Sequence, residues 1–346
     1  MKLNSLFWFT TLTLAIAVAG CSAPAGTSAS TTGTTGDAKP TSDIKIGYIV
    51  KQPEERWFQI ETMFAKKCGK DKGFEVIALG AGDGDKVMAA IDNLNAQGAK
   101  GFVICTPDTK LGPAIAKKAE SLGMKFMTVD DQFVDADGKI MTSVHHMGLA
   151  AEKIGQLSGE TLVALAKEKK FPMDQLGVCL ITREELDTAR VRTDNIHKAL
   201  LAGGIKESQI LKAPQKTTDV PGGMEAADIL LTQHPEIKYW LVAAMNDTGV
   251  IGAVRSMEHH GFTPDNCIGV GINGTEAVAE FEKEKPTSVL ASILMRCDRH
   301  GYESTEMVFK WIKDGTEPPL DTRTEGMVVG RADYKKQFAD LGIPIE

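Results

Sequence analysis

The sequence predicts an α/β protein built as two doubly wound parallel-sheet lobes joined by a three-segment hinge. Two observations carry this. From residue 44 onward, short β-branched or aromatic runs alternate with longer amphipathic segments, and the alternation falls into two similar sets of five strands. Strand and helix in alternation require right-handed crossovers and hence parallel sheets, and two sets require two sheets. Length agrees: 346 residues, 42% of them hydrophobic and 25% charged, exceed one ordinary domain and suffice for two buried cores.

The first set has strands near Ile44–Val50, Phe74–Leu79, Gly101–Thr106, Lys125–Val129 and Met141–Val144. Helices near Pro53–Asp71, Asp85–Gln97 and Leu111–Leu122 lie between them. The first helix is signalled by Pro53 at an opening position, Glu54 and Glu55 at the positive end of the dipole, and one face of Trp57, Ile60, Phe64 and Cys68. The second set has strands near Leu176–Ile181, Gln209–Ala213, Lys238–Ala244, Cys267–Ile272 and Val289–Ile293. Its helices run near Leu186–Ala202, Gly222–Gln233, Thr248–His260 and Glu276–Lys283. A helix near His300–Lys313, a strand at Gly326–Val329 and a short C-terminal helix are shared between the lobes, so the chain crosses three times. The expected division is 44–149 plus about 296–326 for one lobe, and 150–295 plus about 327–346 for the other.

Residues 1–20 read as an export signal: Lys2 is the basic start, Leu6 to Val18 is apolar, and small residues precede Cys21. That apolar run is shorter than the roughly 20 residues that span a bilayer, which favours a cleaved signal. Val18-Ala19-Gly20-Cys21 resembles the lipobox of bacterial lipoproteins, which implies lipidation of Cys21 and anchoring of the exported, periplasmic protein to a bacterial membrane. Residues 22–43, rich in Ser, Thr, Gly, Ala and Pro, read as a flexible tether.

A net charge of -7 with no basic block gives no footprint for nucleic acid. Besides Cys21, five cysteines remain, an odd number with no C-x-x-C pair, which favours buried thiols over zinc or redox chemistry. Gly269, Gly271 and Gly274 fit G-x-G-x-x-G, yet no acidic residue ends the next strand, so a dinucleotide cofactor is not expected. Asp135, Asp137 and Gly138 lack the remaining acids of a calcium loop, and the adjacent pairs His145-His146 and His259-His260 lack metal-ligand spacing. No metal, cofactor or hydrolytic signature is expected.

The strands end in polar groups: Lys51 after the first, Thr106 after the third, Asp130 and Asp131 after the fourth, Asn246 and Asp247 after Leu241 to Met245, and Asn273 after Gly269 to Ile272. In open α/β sheets small ligands bind outside the carboxyl ends of strands, so these groups converge on one crevice. Trp57 and Phe58 read either as core or as a platform for the apolar face of a sugar ring, beside the ionised Lys51 and Glu55. Asp130 and Asp131 read as hydrogen-bond acceptors, a helix cap or an acid/base pair, although neighbours leaving a strand diverge. Arg192, on the first turns of a helix, reads in isolation as part of a solvated face.

Six blocks in order resemble the L-arabinose-binding proteins of bacterial ABC importers: Val50 to Glu55, Gly101 to Asp108, Val129 to Phe133, Glu185 to Arg190, Met245 to Asp247, and Gly271 to Gly274. The resemblance covers nearly the whole chain after Asp43. It implies the type I periplasmic-binding-protein fold, a monosaccharide held between closing lobes, and delivery to a membrane ABC permease by a monomer. It further implies that Lys51, Glu55, Asp131, Arg192, Asn246 and Asn273 bond the sugar hydroxyls, that Gln52, Asp130, Thr188 and Met245 support them, and that Trp57, Phe58, Cys105 and Leu186 line the pocket. Leu149, Met295, Glu276 and Arg56 stand where the family pattern has Met, Pro, Asp and Pro. Leu149, Met295 and Glu276 bear on which aldose is preferred, L-arabinose, D-galactose or D-fucose. A sensory role would use the same pocket, an enzyme would turn the sugar over, and a repressor would need a DNA-binding helix pair that the chain lacks.

Overall fold

The computed structural model describes residues 42–345. The export signal, Cys21 and the tether up to residue 41 lie outside the described residues.

The first sheet is built from β1 (Lys45–Val50), β2 (Glu75–Gly80), β3 (Gly101–Ile104), β4 (Lys125–Val129) and β5 (His146–Leu149). Helices α1 (Arg56–Lys72), α2 (Gly84–Ala96) and α3 (Gly112–Ser121) connect them. α4 (Ala151–Glu168) leads into β6 (Leu176–Thr182), β7 (Ile210–Pro214), β8 (Tyr239–Ala243), β9 (Cys267–Asn273) and β10 (Val289–Leu294). These alternate with α5 (Asp187–Ala202), α6 (Val220–Gln233), α7 (Asp247–His259) and α8 (Val278–Phe281). The chain closes with α9 (Cys297–Asp314), β11 (Asp321–Thr324), β12 (Met327–Gly330) and α10 (Tyr334–Leu341).

The sheet orders are β11-β5-β4-β3-β1-β2 and β12-β10-β9-β8-β6-β7. All pairs are parallel except β10 with β12. The chain therefore passes between sheets three times, after β5, after β10 and after β11. This is the two-lobed, doubly wound architecture of the type I periplasmic-binding fold. Alternation along β1 shows why both faces are covered: Ile46, Tyr48 and Val50 pack with Phe58 of α1 and Phe309 of α9, while Ile49 turns to Ile91 and Leu94 of α2. Each such buried side chain contributes about 1.5–3 kcal/mol of transfer free energy. The helices pack closely where glycine permits. A Cβ on Gly301 would stand 2.0 Å from the Glu61 carbonyl oxygen, and one on Gly155 would stand 2.2 Å from that of Arg192.

Four elements depart from the sequence reading. The strand predicted at Met141–Val144 is a turn region, and the true strand β5 begins at His146. Histidine ends an apolar run on paper, yet His146 is fully buried and meets the Thr128 hydroxyl at 2.8 Å through Nδ1. Helix α4 was not predicted: its buried stripe includes Gly155, Ser158 and Gly159, which carry little hydrophobic signal. Strand β11, Asp-Thr-Arg-Thr, has no apolar residue at all and forms by pairing with β5. Helix α1 starts at Arg56, because a turn in which the Glu55 N–H donates to the Gln52 carbonyl occupies the residues around Pro53.

Candidate functional site

The carboxyl ends of β1, β4 and β5 carry Lys51, Asp130, Asp131 and Leu149, and those of β9 and β10 carry Asn273 and Met295. The first turns of α5 add Thr188 and Arg192. Together with Gln52, Glu55, Trp57, Phe58, Ala151 and Arg323, they line a cavity of about 270 Å³ shared by both lobes. That is below the roughly 300–1,000 Å³ of pockets for drug-sized ligands, and suits a molecule the size of one sugar ring. A larger groove of about 610 Å³ lies between α4 and α5, but its walls come from those two helices and the Gly203 that follows α5, and it gathers no opposed charges from two lobes.

On the first lobe the charges are already matched. Lys51 Nζ donates to Asp131 Oδ2 at 2.5 Å and stands 5.8 Å from the Phe58 ring centroid. Burial works against the ammonium, yet its negative neighbourhood raises its pKa above the ordinary value. Cys105 lies in that neighbourhood with Sγ 3.5 Å from Asp131, but burial pushes its own pKa far up and keeps it a neutral thiol, so Asp131 is the lasting partner. Gln52 Nε2 donates to Glu55 Oε1 at 2.7 Å. Asp130 adopts φ 62, a left-handed conformation that Asp tolerates better than most residues. Its Oδ2 accepts from Trp57 Nε1 at 3.1 Å, and its Oδ1 lies 2.7 Å from Nδ1 of the buried His300. Burial alone would raise the Asp130 pKa; the His300 contact overrides it and holds the carboxyl below its ordinary value.

On the second lobe the charge is not matched. Arg192 Nη1 donates to the Met245 carbonyl at 2.9 Å, and its Nε is buried without a partner among the described residues. Burial pulls its pKa down to about 10, with no carboxylate among the described residues to offset it. Asn273, at φ 133, donates from Nδ2 to Glu276 Oε2 at 2.9 Å. The loop after it is pinned by the buried Asp247, which accepts from the Gly274 N–H at 2.8 Å, the Ala277 N–H at 3.2 Å and Ser292 Oγ at 2.5 Å. Burial, then the nearby Glu276, raise the Asp247 pKa to about 7.

Eleven of the sequence-predicted residues therefore line one cavity: Lys51, Gln52, Glu55, Trp57, Phe58, Asp130, Asp131, Leu149, Thr188, Arg192 and Asn273. Five stand outside its lining. Cys105 lies against Asp131, Met245 offers its carbonyl to Arg192, and Glu276 braces Asn273. Asn246 caps α7, with Oδ1 accepting from the Gly249 N–H, and Leu186 stands exposed at the N-cap of α5. Sequence reasoning missed Arg323, whose strand carries no apolar signal, and the buried supports His300 and Glu61, which helical periodicity assigns to faces packed inside the lobe.

A cleft lined from two doubly wound lobes, with three connecting segments beside it, defines a two-lobed binding protein for a small polar ligand. Residues 43–336 match the family described as periplasmic binding proteins and sugar binding domain of LacI family, and the chain belongs to that family. It is 45% identical over 330 residues to the ABC transporter L-arabinose-binding periplasmic protein of Azospirillum brasilense, covering 95% of this chain and 97% of that protein. It is 47% identical over 302 residues to the L-arabinose-binding periplasmic protein of Escherichia coli (strain K12), covering 87% and 92%. Among solved structures, a periplasmic ribose ABC transporter protein from Conexibacter woesei superposes with a TM-score of 0.71 at 16% identity, over 87% of this chain and 96% of that one. At that identity the likeness concerns the fold alone.

Proposed function

We propose that this protein captures one neutral aldose of the L-arabinose type between its lobes and passes it, chemically unchanged, to a membrane ABC importer. One observation carries the reading: hydrogen-bonding groups of both signs converge from two lobes on a cavity of about 270 Å³, and Arg192 there lacks an acceptor for its buried Nε. A sugar supplies what is missing. Its hydroxyls accept from Arg192 and Lys51, donate to Asp130, Asp131 and Glu55, and do both with Asn273, while its C–H face stacks on Trp57 or Phe58. The names of the relatives from Azospirillum brasilense and Escherichia coli support arabinose as the first candidate.

Capture rather than catalysis also fits the electrostatics. A general acid at neutral pH needs a raised pKa, whereas Asp130 is held ionised by His300 and Asp131 is paired with Lys51. On this reading residues 44–149 with about 296–326 form one lobe and 150–295 with about 327–346 the other. Closure follows because only the closed state engages the ligand from both sides. Export by residues 1–20 and anchoring through Cys21 complete the proposal, as the lipobox-like run suggests.

Calorimetry against L-arabinose, D-galactose, D-fucose, D-xylose and D-ribose tests it, with the recovered sugar checked by NMR. Tight one-to-one binding of at least one aldose, returned intact, is expected. Binding of none, or turnover of any, rejects the proposal.

A further inference from the structure

At the cleft wall three ionisable side chains meet, two of them out of reach of solvent. Glu61 on α1 and His300 at the start of α9 are fully buried, and Asp130 stands between them and the cleft. His300 Nδ1 is 2.7 Å from Asp130 Oδ1 and 3.4 Å from Glu61 Oε1, and its Nε2 is 2.6 Å from the Thr324 hydroxyl on β11. The Trp57 indole donates to the other Asp130 oxygen and meets the His300 ring edge-on, with centroids 5.6 Å apart.

The carboxylate beside Nδ1 sets the protonation of the ring. Nδ1 faces a carboxylate and must donate. Nε2 meets the Thr324 hydroxyl, which can accept from it while turning its own proton to the Gly148 carbonyl at 3.4 Å, and against burial the Asp130 carboxylate raises the ring's pKa to about 9, so Nε2 keeps its proton at neutral pH. A ring that donates from both nitrogens is an imidazolium. Its charge is balanced by Asp130, which leaves Glu61, whose oxygens make no hydrogen bond among the described residues, to stay protonated. Burial, and then the charge of Asp130, raise the Glu61 pKa, in agreement. A metal ion suits the cluster less well. Ligands at about 2.0–2.2 Å from one tetrahedral centre stand more than about 3 Å apart, whereas Nδ1 and Asp130 Oδ1 are at donor–acceptor distance.

The same ring touches the segments that join the lobes. Thr324 is the last residue of β11 before the third crossing, and its carbonyl accepts the Ala150 N–H, at the first crossing, at 2.9 Å. His300 itself lies in the opening turn of α9, which follows the second crossing. We propose that His300 is a positioning residue for the cleft, tying the Asp130 carboxylate, and through it the Trp57 indole, to the three segments that connect the lobes. The proposal rests on reading the cleft as the ligand site, and it deepens that reading by naming what holds the first lobe's ligand-facing groups at the hinge.

The test uses the full chain, labelled with nitrogen-15, with Trp57→Phe and His300→Gln to assign signals. In the ligand-free protein, both His300 nitrogens should remain protonated at pH 7.5. The Trp57 indole resonance should shift in His300→Leu and return part of the way in His300→Gln. Affinity for the aldose that binds best should fall by roughly tenfold or more in His300→Leu, the loss of one charge-assisted hydrogen bond. In Glu61→Gln, which mimics the protonated acid, both His300 nitrogens should still be protonated at pH 7.5. A neutral His300 ring, an unmoved Trp57 signal in both His300 variants, or a stoichiometric metal that survives dialysis against chelator would each overturn the proposal. If His300→Leu does not fold, the ring signals of the parent and the two conservative variants still decide. If the parent binds no aldose, the cleft reading fails separately, because the imidazolium and indole signals are read without ligand.

Discussion

Replacing Arg192 by Met should move stability and affinity in opposite directions. Without ligand the guanidinium is desolvated with no anionic partner among the described residues, and burial lowers its pKa to about 10. At about 1.4 kcal/mol for each tenfold change in proton affinity, that corresponds to a cost of about 3 kcal/mol. The Nη1 bond to the Met245 carbonyl is lost in the variant and returns roughly half of this, so the net gain is about 1–2 kcal/mol. For a folded body of this size the melting temperature of the ligand-free protein should rise by roughly 1.5–3 °C. Binding should suffer instead: one charge-assisted bond to the sugar, worth roughly 1.5–3 kcal/mol, disappears, and Kd should rise roughly 10- to 150-fold. Thermal unfolding by circular dichroism, with and without saturating aldose, together with calorimetry, reads both effects. Ligand should reverse the ranking, leaving the parent the more stable of the two. A variant that is less stable when empty and binds as tightly as the parent would refute the argument.

Asp131→Ala should weaken sugar binding by about 1–3 kcal/mol, since it removes an acceptor and strips Lys51 of its partner; calorimetry giving an unchanged Kd would remove Asp131 from the site. Stability should fall on the alkaline side. Burial opposes the His300 charge, but the Asp130 carboxylate beside it overrides this and its pKa rises to about 9, so its contribution is full below about pH 6.5 and is lost as pH rises through about 9, by about 3 kcal/mol. Urea unfolding between pH 7 and 9.5 measures this, and a flat profile there would contradict it. No comparable acid limb is expected between pH 4 and 7: burial and Arg323 lower the His146 pKa to about 4, which favours the fold as pH rises, while the raised pKa of Asp247 disfavours it. Leu149→Met, at the cleft wall, should reorder affinities among arabinose, galactose and fucose by roughly tenfold or more, the scale of about one methylene; an identical ranking in a displacement panel would discard Leu149 as a determinant.

Where sequence reading worked and where it did not follows from which signals survive in one dimension. The ten parallel strands that alternate with helices announce themselves by dense β-branched runs, and all but β5 were placed within a few residues. β5 and β11 did not, because their cohesion comes from partners: His146 is buried against Thr128, and Asp321 to Thr324 hold their strand by pairing with β5. α4 was lost to its glycines and serine, small because another helix presses on them. At the cleft, groups directly following a strand were legible, since strand ends in such sheets point one way. Arg323, His300 and Glu61 were not: the strand of Arg323 carries no apolar signal, and a place on the packed face of a helix does not tell that His300 and Glu61 meet Asp130 from far along the chain.

The two lobes meet the cost of burying charge in different ways, and the difference bears on the order of binding. On the first lobe, Asp130 is backed by His300 and Asp131 by Lys51, so its ligand-facing groups are paired before any ligand arrives. On the second, Arg192 has only a backbone carbonyl, and Asn273 is braced by a loop that Asp247 pins. A ligand meeting the first lobe finds preorganised groups that need little rearrangement, which limits the cost of ordering side chains on association. The unsatisfied guanidinium then gains most when the lobes come together, so its bond belongs chiefly to closure. Loss of Arg192 should therefore quicken release far more than it slows capture, whereas loss of His300, which holds the first lobe's groups in place, should slow capture as well. Stopped-flow fluorescence separates the two rates. Equal effects of Arg192→Met on both rates would show that the second lobe takes part from the first encounter.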